Sequence, residues 1–510
     1  MALPLQNIIT HHRVLLSIPL AVSLLLLALG LVIGYLMLEA LYNLFLHPLR
    51  SYPGPKLWAV SQIPYARISV SGQGHRKMLE LHKIYGPVIR IGPNAVSYNH
   101  PEAMTAIRGH RRGGMAEHGK DPDLFGSHRL SILGADRDNH RRYRQILAHG
   151  FSAQTMLEQQ PIIKSYIDSF IARIREESAG GVQPIDMVKW YNYTTFDIIG
   201  DLSFGEPFGC LQGSTYHPWV AMIFSSVKGL AISAHLERIL HNQTLKKLIM
   251  PTNLAASLAE SRQLATAKVH KRLATQTDRP DFINAMIKRS GSKGKELTFE
   301  ELTSHARLLI TAGSETTATA LSAATWYLGM NPRVLAKLTD EVRSAFATEE
   351  EIDLNSVQKL SYMLAVLEET LRLYPPSPHG QPRIIAEGGD EILGRYIPGG
   401  ARAEVIMWAL YHNPAYFTQP DDFIPERWLG DPIFANDERQ AVQPFSVGPR
   451  NCIGKNLAYS EMRQMLARVV WNFDIQLAMD STDWEKKSEV YLLWNKPPAN
   501  VYLKPRKMAG

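Results

Sequence analysis

The chain has 510 residues, a formal net charge of +7 and a pI near 9.1. Its basic residues are scattered rather than arranged with aromatic residues along one element, which argues against a nucleic-acid partner. Two cysteines in 510 residues argue against a disulfide framework and are typical of a reducing compartment, so we expect Cys210 to remain a free structural thiol.

The N-terminal segment from Val14 to Leu38 contains no charged residue. Its 25 residues exceed the roughly 20 that span a bilayer core as a helix. A cleaved signal peptide is the alternative, but its apolar region is usually about 7 to 15 residues long. We therefore predict a short N-terminal segment (1–13), one transmembrane anchor (14–38), a linker with a proline-rich hinge (39–56) and one large domain (57–510).

The large domain begins with a β pattern and continues mostly with amphipathic helices. Val88–Ile91 and Ala95–Tyr98 flank the turn residues Gly92-Pro93-Asn94, which predicts a hairpin. Short strands are also predicted between Ile392 and Ile406. We find no internal repeat and no low-complexity tract.

A long helix is predicted from the capping box of Thr298 and Glu301 to Asn331, which precedes Pro332. Its middle reads Ala312-Gly313-Ser314-Glu315-Thr316-Thr317. A glycine inside a helix costs about 1 kcal/mol relative to alanine. Gly313 would be explained either by close packing of small residues against a neighbouring element or by a functional role.

A second helical pattern, from about Leu360 to Tyr374, contains Glu369 and Arg372 and ends before two prolines. Because the two residues are three apart, they share one helical face. An isolated pair of this kind is usually a solvated ion pair worth under about 1 kcal/mol.

Near the C-terminus, the loop Phe445-Ser446-Val447-Gly448-Pro449-Arg450-Asn451-Cys452-Ile453-Gly454 precedes a helical pattern that begins near Lys455. A thiolate is the metal-binding form of cysteine, and a nearby cation and the N–H groups of a helix start favour it. Gly448 and Gly454 would let the backbone approach a flat cofactor closely. The alternative is an ordinary buried cysteine beside a turn.

The residues Phe445, Gly448, Arg450, Cys452 and Gly454 resemble the haem-binding loop of the cytochrome P-450 superfamily at each of those positions. The resemblance implies that Cys452 is the axial ligand of the iron of haem b, where a thiolate favours O–O cleavage. It also implies the mainly α, triangular haem-thiolate cytochrome P-450 fold with a small β region, so that the large domain is a catalytic domain.

The middle of the long helix is similar to the family's oxygen-activation motif. The resemblance implies that Thr316 is the hydroxyl beside bound dioxygen and that Glu315 is its acidic neighbour. Cleaving the O–O bond needs two protons, which a hydroxyl with ordered water can relay from an acid.

The segment Pro425-Glu426-Arg427-Trp428 resembles the family segment whose arginine joins the helical pair in a buried triad. Glu369, Arg372 and Arg427 are therefore expected to hold the core beside the haem together rather than to take part in chemistry.

Haem carries two propionates, which need cations if they are to be buried. The resemblance assigns this role to His140, Arg144, Arg383 and Arg450. The family residue at position 140 is more commonly tryptophan, and an ordinary surface histidine is the alternative there.

Similarity to eukaryotic microsomal members implies the endoplasmic reticulum membrane, crossed once, with the catalytic domain in the cytosol. Pro48 and Pro53-Gly54-Pro55 then resemble the family's stiff hinge. The sequons at Asn192 and Asn242 would remain unglycosylated on that side.

The resemblance also implies electrons from NADPH through a membrane-bound reductase, with cytochrome b5 as a further partner. The expected docking face carries basic residues, namely Arg137, Arg141, Arg142, Arg144, Lys455 and Arg463. Runs of charge are more often simply solvated faces.

Three functions fit a haem and a thiolate. They are NADPH-driven hydroxylation or epoxidation, a reductase-independent isomerase or dehydratase acting on a peroxide, and a haem-binding sensor without turnover. The acid and alcohol pair favours the first. The chain resembles filamentous-fungal secondary-metabolism monooxygenases, including trichothecene hydroxylases, which implies a hydrophobic terpenoid or polyketide-derived substrate; a sterol or fatty acid is the alternative.

Overall fold

The computed structural model describes residues 6–111, 113, 115–239, 252–275, 279–290 and 296–507. The sequon at Asn242 lies outside these residues. The described chain is mainly helical with four small sheets, as predicted.

The helices are distributed along the whole described chain. In the first half they are α1 (Gln6–Phe45), α2 (Lys56–Val60), α3 (Ile63–Val70), α4 (Gly74–Tyr85), α5 (Pro101–Arg108), α6 (Pro122–Phe125), α7 (Arg137–Leu147), α8 (Ala153–Glu177), α9 (Met187–Phe204), α10 (Cys210–Gly213) and α11 (Pro218–Ile239). In the second half they are α12 (Thr252–Ala274), α13 (Phe282–Ser290), α14 (Phe299–Met330), α15 (Pro332–Ala345), α16 (Ser361–Leu373), α17 (Met407–Tyr411), α18 (Lys455–Asn472) and α19 (Trp484–Lys487).

The strands are short and most come from the second half of the chain. They are β1 (Val88–Gly92), β2 (Ala95–Tyr98), β3 (Gly119–Lys120), β4 (Pro184–Asp186), β5 (Arg383–Ile384), β6 (Asp390–Ile392), β7 (Arg395–Ile397), β8 (Arg402–Val405), β9 (Phe473–Leu477), β10 (Glu489–Val490), β11 (Trp494–Asn495) and β12 (Asn500–Pro505).

The largest sheet has the strand order β1-β2-β8-β5-β3. Its first two strands form the predicted antiparallel hairpin, and β6, β7 and β8 are the strands predicted before Ile406. At the other edge, β3 pairs antiparallel with β5 and sets Lys120 opposite Arg383. This register brings together two cations that are far apart in sequence.

Helix α14 lies in the helical core and packs against α9. It begins at the predicted capping box of Thr298 and Glu301 and ends at Met330. A Cβ on Gly313 would lie 2.7 Å from Cδ1 of Ile199 on α9. The glycine therefore allows the two helices to approach closely, which is the packing explanation that the sequence left open.

Helix α1 is longer than the predicted anchor, 14–38. Within it, Val22–Phe45 is a candidate membrane span, and the 18-residue window that defines it has a mean hydropathy of 2.4 and no buried residue. Helix α11 is also long and apolar enough to cross a membrane, but it packs against α3 and α12. Of the two, α1 fits a membrane anchor, because its apolar side chains have no protein to cover them.

Candidate active site

The cysteine loop lies between the two hydrophobic clusters of the protein. Phe445 packs against the helical cluster and Val447 against the cluster beside the largest sheet. The backbone N–H of Cys452 donates a 2.8 Å hydrogen bond to the carbonyl oxygen of Phe445. Gly448 has a φ of +77°, and a Cβ there would overlap the backbone carbonyl of Arg108. Glycine is therefore required at this turn, and the loop is held from both sides.

Cys452 has an accessible side chain, although protein surrounds it on most sides. Burial raises the pKa of its thiol, whereas the backbone N–H of Gly454 and the charges of Arg144 and Lys455 lower it. The groups expected to favour the thiolate are therefore present and act in the expected direction, while burial raises the pKa by more. The other cysteine, Cys210, is free and buried, as predicted.

The four residues assigned to the propionates are His140, Arg144, Arg383 and Arg450, and they lie close enough for the charges of the three arginines to act on His140. Burial, followed by the charges of Arg450, Arg144, Lys120 and Arg383, lowers the pKa of His140 to about 3, so this imidazole is neutral. His140 is also buried, which differs from an ordinary surface histidine. Arg144 donates hydrogen bonds to the carbonyl and side-chain oxygens of Asn451, at 2.8 and 2.5 Å, and so braces the cysteine loop.

Arg450 has a carboxylate partner for its positive charge, whereas Arg383 has none at salt-bridge distance among the described residues. Arg450 pairs with Glu117 and donates a 2.8 Å hydrogen bond to the carbonyl of Ala135. Arg383 is buried, has no carboxylate at salt-bridge distance in the described part of the chain, and leaves Nη1 without a hydrogen-bond partner there. Burial, with the charges of Arg108 and Arg450, lowers the pKa of Arg383 to about 9.

Lys120 is a basic residue of this region that sequence reasoning missed. Burial, then the charges of Arg383, Arg108 and Arg450, hold its pKa well below the usual value. Its Nζ lies 4.4 Å from the ring centroid of Phe125, and no carboxylate pairs with it among the described residues. Its two-residue strand carries no sequence pattern, so only the β3–β5 register reveals it.

Together these residues fit a haem. The cysteine sulfur is accessible in a fixed, glycine-containing loop, and the basic groups of Arg383 and Lys120 have no carboxylate at salt-bridge distance in the described chain. The lowered pKa values of both groups show that their charged forms are poorly compensated, and an anion placed between them would restore the charge. Propionates provide two such anions.

The acid and alcohol of α14 do not contact each other. Thr316 donates a 2.7 Å hydrogen bond from Oγ1 to the carbonyl of Ala312, within its own helix. Glu315 is buried, and its Oε1 contacts Nζ of Lys496 and accepts a 3.3 Å hydrogen bond from Thr319. Burial raises the pKa of Glu315, and Lys496 only partly opposes this effect. Lys496 follows β11, 181 residues away, and no local pattern predicted it.

Glu369, Arg372 and Arg427, the residues of the expected triad, contact one another. Arg372 donates two hydrogen bonds to Glu369, at 2.9 and 2.8 Å, and Nε of Arg427 lies 3.3 Å from the same carboxylate. All three side chains are fully buried. Although burial raises the pKa of Glu369, the two arginines hold it below its usual value. Asp437, which the sequence did not indicate, pairs with Arg427.

The six basic residues of the expected docking face are not equally available. Arg142 is paired with Glu301, and Arg144 is bonded to Asn451. Arg463 is half-buried, while the remaining three are exposed, namely Arg137, Arg141 and Lys455. Lys455 and Arg463 border a cavity of about 540 Å³ that includes the apolar residues Leu157 and Leu354.

Comparison with known proteins places this site in a family. The cytochrome P450 family model matches residues 52–503. Trichothecene C-15 hydroxylase from Fusarium sporotrichioides is 54% identical over 478 residues, 94% of this chain and 97% of that protein. Averantin hydroxylase from Dothistroma septosporum is 45% identical, covering 93% and 91%, and a cytochrome P450 monooxygenase from Aspergillus oryzae is 44% identical, covering 92% and 94%. The chain therefore belongs to the cytochrome P450 family, as a haem-thiolate monooxygenase that uses haem b.

Proposed function

We propose that the protein hydroxylates or epoxidises a hydrophobic intermediate of secondary metabolism, terpenoid or polyketide-derived, with O2 and electrons from NADPH. The observation that carries the proposal is the accessible Cys452 sulfur in a loop held by Gly448 and Phe445. When bound, a thiolate-ligated haem supplies the oxidising power for insertion of oxygen into an unactivated C–H bond.

The chain's own residues bind and orient the cofactor. Cys452 would hold the iron, and Gly448 and Gly454 would let the loop lie close to the ring. Arg383, Arg450 and Lys120 would neutralise the propionates; Lys120 is added here because it lies opposite Arg383 and has no carboxylate at salt-bridge distance among the described residues. His140 is neutral, so it contributes a hydrogen bond rather than a charge. Arg144 acts through the Asn451 contacts that fix the loop.

Thr316 and Glu315, both on α14, are the residues proposed to transfer protons. Thr316 Oγ1 already donates to a backbone carbonyl, so its lone pairs remain able to accept a hydrogen bond. Glu315 supplies protons from its buried carboxyl group. Glu369, Arg372 and Arg427 stabilise the core and do not touch substrate.

The names of two relatives and the exposed face of α14 support the proposed substrate class. The names of two relatives specify a trichothecene and averantin as the compounds that those proteins hydroxylate. In this chain, Leu308, Ala312 and Thr316 lie one turn apart on a partly exposed face of α14, which offers apolar contact beside one hydroxyl. This face suits a largely apolar molecule.

The proposed partner is a membrane-bound NADPH reductase, with cytochrome b5 as a second donor. The exposed cations Arg137, Arg141 and Lys455 suit an acidic flavin domain. Helix α1 would then anchor the protein in the endoplasmic reticulum membrane with the catalytic domain in the cytosol, so that the protein and the reductase would share one membrane.

The testing experiment compares metabolites of a producing strain that carries the parent protein with those of a strain that carries Cys452→Ala. We expect a compound to accumulate in the variant strain and a product one oxygen heavier in the parent strain. Products equal in mass or lighter by two hydrogens would refute oxygenation. NADPH-dependent turnover with a reductase separates this function from a peroxide isomerase or a sensor.

A further inference from the structure

Glu315 and Lys496 form a buried ion pair between the middle of α14 and the C-terminal tail. Each side chain is 3% exposed. Nζ of Lys496 contacts Oε1 of Glu315 and lies 2.8 Å from Oγ1 of Thr319. The second carboxylate oxygen, Oε2, is buried and has no hydrogen-bond partner among the described residues. The carboxylate is therefore held on one side only.

The backbone on both sides of Lys496 is anchored. Trp494 stacks on Tyr374 at a centroid distance of 3.9 Å and donates a 2.8 Å hydrogen bond from Nε1 to the carbonyl of Pro375. The carbonyl of Pro497 accepts a 2.8 Å hydrogen bond from Nε1 of Trp484. Lys496 is thus presented to Glu315 by a fixed segment rather than by a free side chain.

Few charged groups face this carboxylate. Besides Lys496, the titratable side chains of the described residues that interact with Glu315 are Tyr216, which precedes α11, and Tyr374, which follows α16. Burial raises the pKa of both tyrosines, so they stay neutral near pH 7. Lys496 is therefore the cation that supports the ionised form of Glu315 in the described chain.

A pair that served only to join α14 to the tail would be expected to satisfy both oxygens, since a buried acceptor without a partner costs about 1–3 kcal/mol. An apolar pair of similar volume is often as stable as a buried ion pair. The unpartnered Oε2 is therefore better explained by a function than by stability.

We propose that Lys496 is a positioning residue that keeps Glu315 ionised and directs Oε2 as the atom that takes up and releases a proton. This inference rests on the proposed monooxygenase function. While Lys496 holds Oε1, the carboxylate does not contact Thr316. Glu315 then passes its proton through Oε2 and ordered water, and Lys496 restores the ionised form afterwards.

The first test measures the protonation of Glu315 in the full-length haem-loaded protein. Infrared spectra recorded against pH report the carbonyl band of a buried, protonated carboxylic acid. In Lys496→Met we expect this band to appear at a higher pH than in the parent, and to be missing from Glu315→Gln/Lys496→Met. Lys504→Met removes an exposed lysine of the same tail and should match the parent. An unchanged titration in Lys496→Met would overturn the proposal.

The second test measures product formed per NADPH consumed, over a range of pH. Lys496→Met should lose coupling to the level of Glu315→Gln, the double variant should lose no more, and Lys496→Arg should recover coupling. If Lys496→Met does not accumulate as a folded haem protein, Lys496→Gln, which keeps a donor, replaces it with the same expectations. A Lys496 variant with the coupling and pH profile of the parent would contradict the role.

The two hypotheses fail in different ways. If the parent enzyme forms no oxygenated product, the proposed function is wrong, while the infrared titration still measures the effect of Lys496 on Glu315. If the parent is active and the titration does not change, only the role of Lys496 is wrong.

Discussion

Adding one methyl group to Gly313 tests whether α14 and α9 need a glycine at their contact. The new Cβ would lie 2.7 Å from Cδ1 and 3.0 Å from Cγ1 of Ile199. Overpacking of this kind costs about 1–3 kcal/mol. Replacing a helical glycine with alanine contributes about 1 kcal/mol in the opposite direction. We therefore expect Gly313→Ala to lower the free energy of unfolding by about 1 kcal/mol.

A double-mutant cycle isolates the contact. Ile199→Val removes Cδ1, the atom nearest the added methyl, and alone should cost about 0.5–1.5 kcal/mol. Combined with Gly313→Ala, it should relieve the overlap and give a favourable coupling of about 1 kcal/mol. The control is Ile198→Val, which shortens a neighbouring buried side chain that is not among the atoms nearest Gly313.

The assay is denaturant unfolding of the haem-loaded variants, followed by circular dichroism. If Gly313→Ala is as stable as the parent, or if the two cycles give the same coupling, the packing explanation is refuted. In that event the glycine would need a functional explanation instead.

Four further variants test the site. Cys452→Ser should abolish the red-shifted Soret band of the reduced carbon monoxide complex, and an unchanged band would reject the ligand assignment. Thr316→Ala should keep haem but uncouple NADPH use from product; equal coupling would mean that protons travel by another route. Arg427→Ala leaves Glu369 partly uncompensated and should cost about 3–5 kcal/mol of stability in denaturant unfolding, whereas a loss under about 1 kcal/mol would contradict a buried triad. Lys120→Met should speed haem transfer to apomyoglobin about ten- to a hundredfold, since a hydrogen bond to a charged group contributes about 1.5–3 kcal/mol, and an unchanged rate would exclude contact with a propionate.

Features with a local signal were predicted correctly. The capping box of Thr298 and Glu301 starts α14, and the turn at Gly92-Pro93-Asn94 joins β1 to β2. Each depends on residues within a few positions of one another, so sequence spacing reports the geometry directly. The cysteine loop was recognisable for the same reason, because all five of its spaced residues lie within ten positions.

Features that depend on distant segments were missed. Lys120 meets Arg383 through the pairing of two-residue strands, and Lys496 meets Glu315 across 181 positions. Neither lysine stands in a helical or strand periodicity that marks it, so only the tertiary fold distinguishes it from an ordinary surface lysine. The cations and the backbone N–H beside Cys452 do lower the pKa of its thiol, as expected, but the opposing effect of burial depends on the whole fold and carries no local signal.

Glu369 and Glu315 are both buried carboxylates, but their pKa values shift in opposite directions. This contrast distinguishes a carboxylate that stabilises the fold from one that we propose exchanges a proton. Glu369 accepts five hydrogen bonds, among them those from Arg372 and Arg427, and its pKa is lowered. It is therefore a permanent anion, and its contribution to stability is present above the unfolded-state pKa and lost as the pH falls through the folded-state pKa. Among the described residues, Glu315 has one cation, Lys496, and one oxygen without a hydrogen-bond partner, and its pKa is raised. This incomplete compensation suits the uptake and release of a proton that we propose for Oε2 of Glu315, whereas the fuller compensation of Glu369 disfavours protonation.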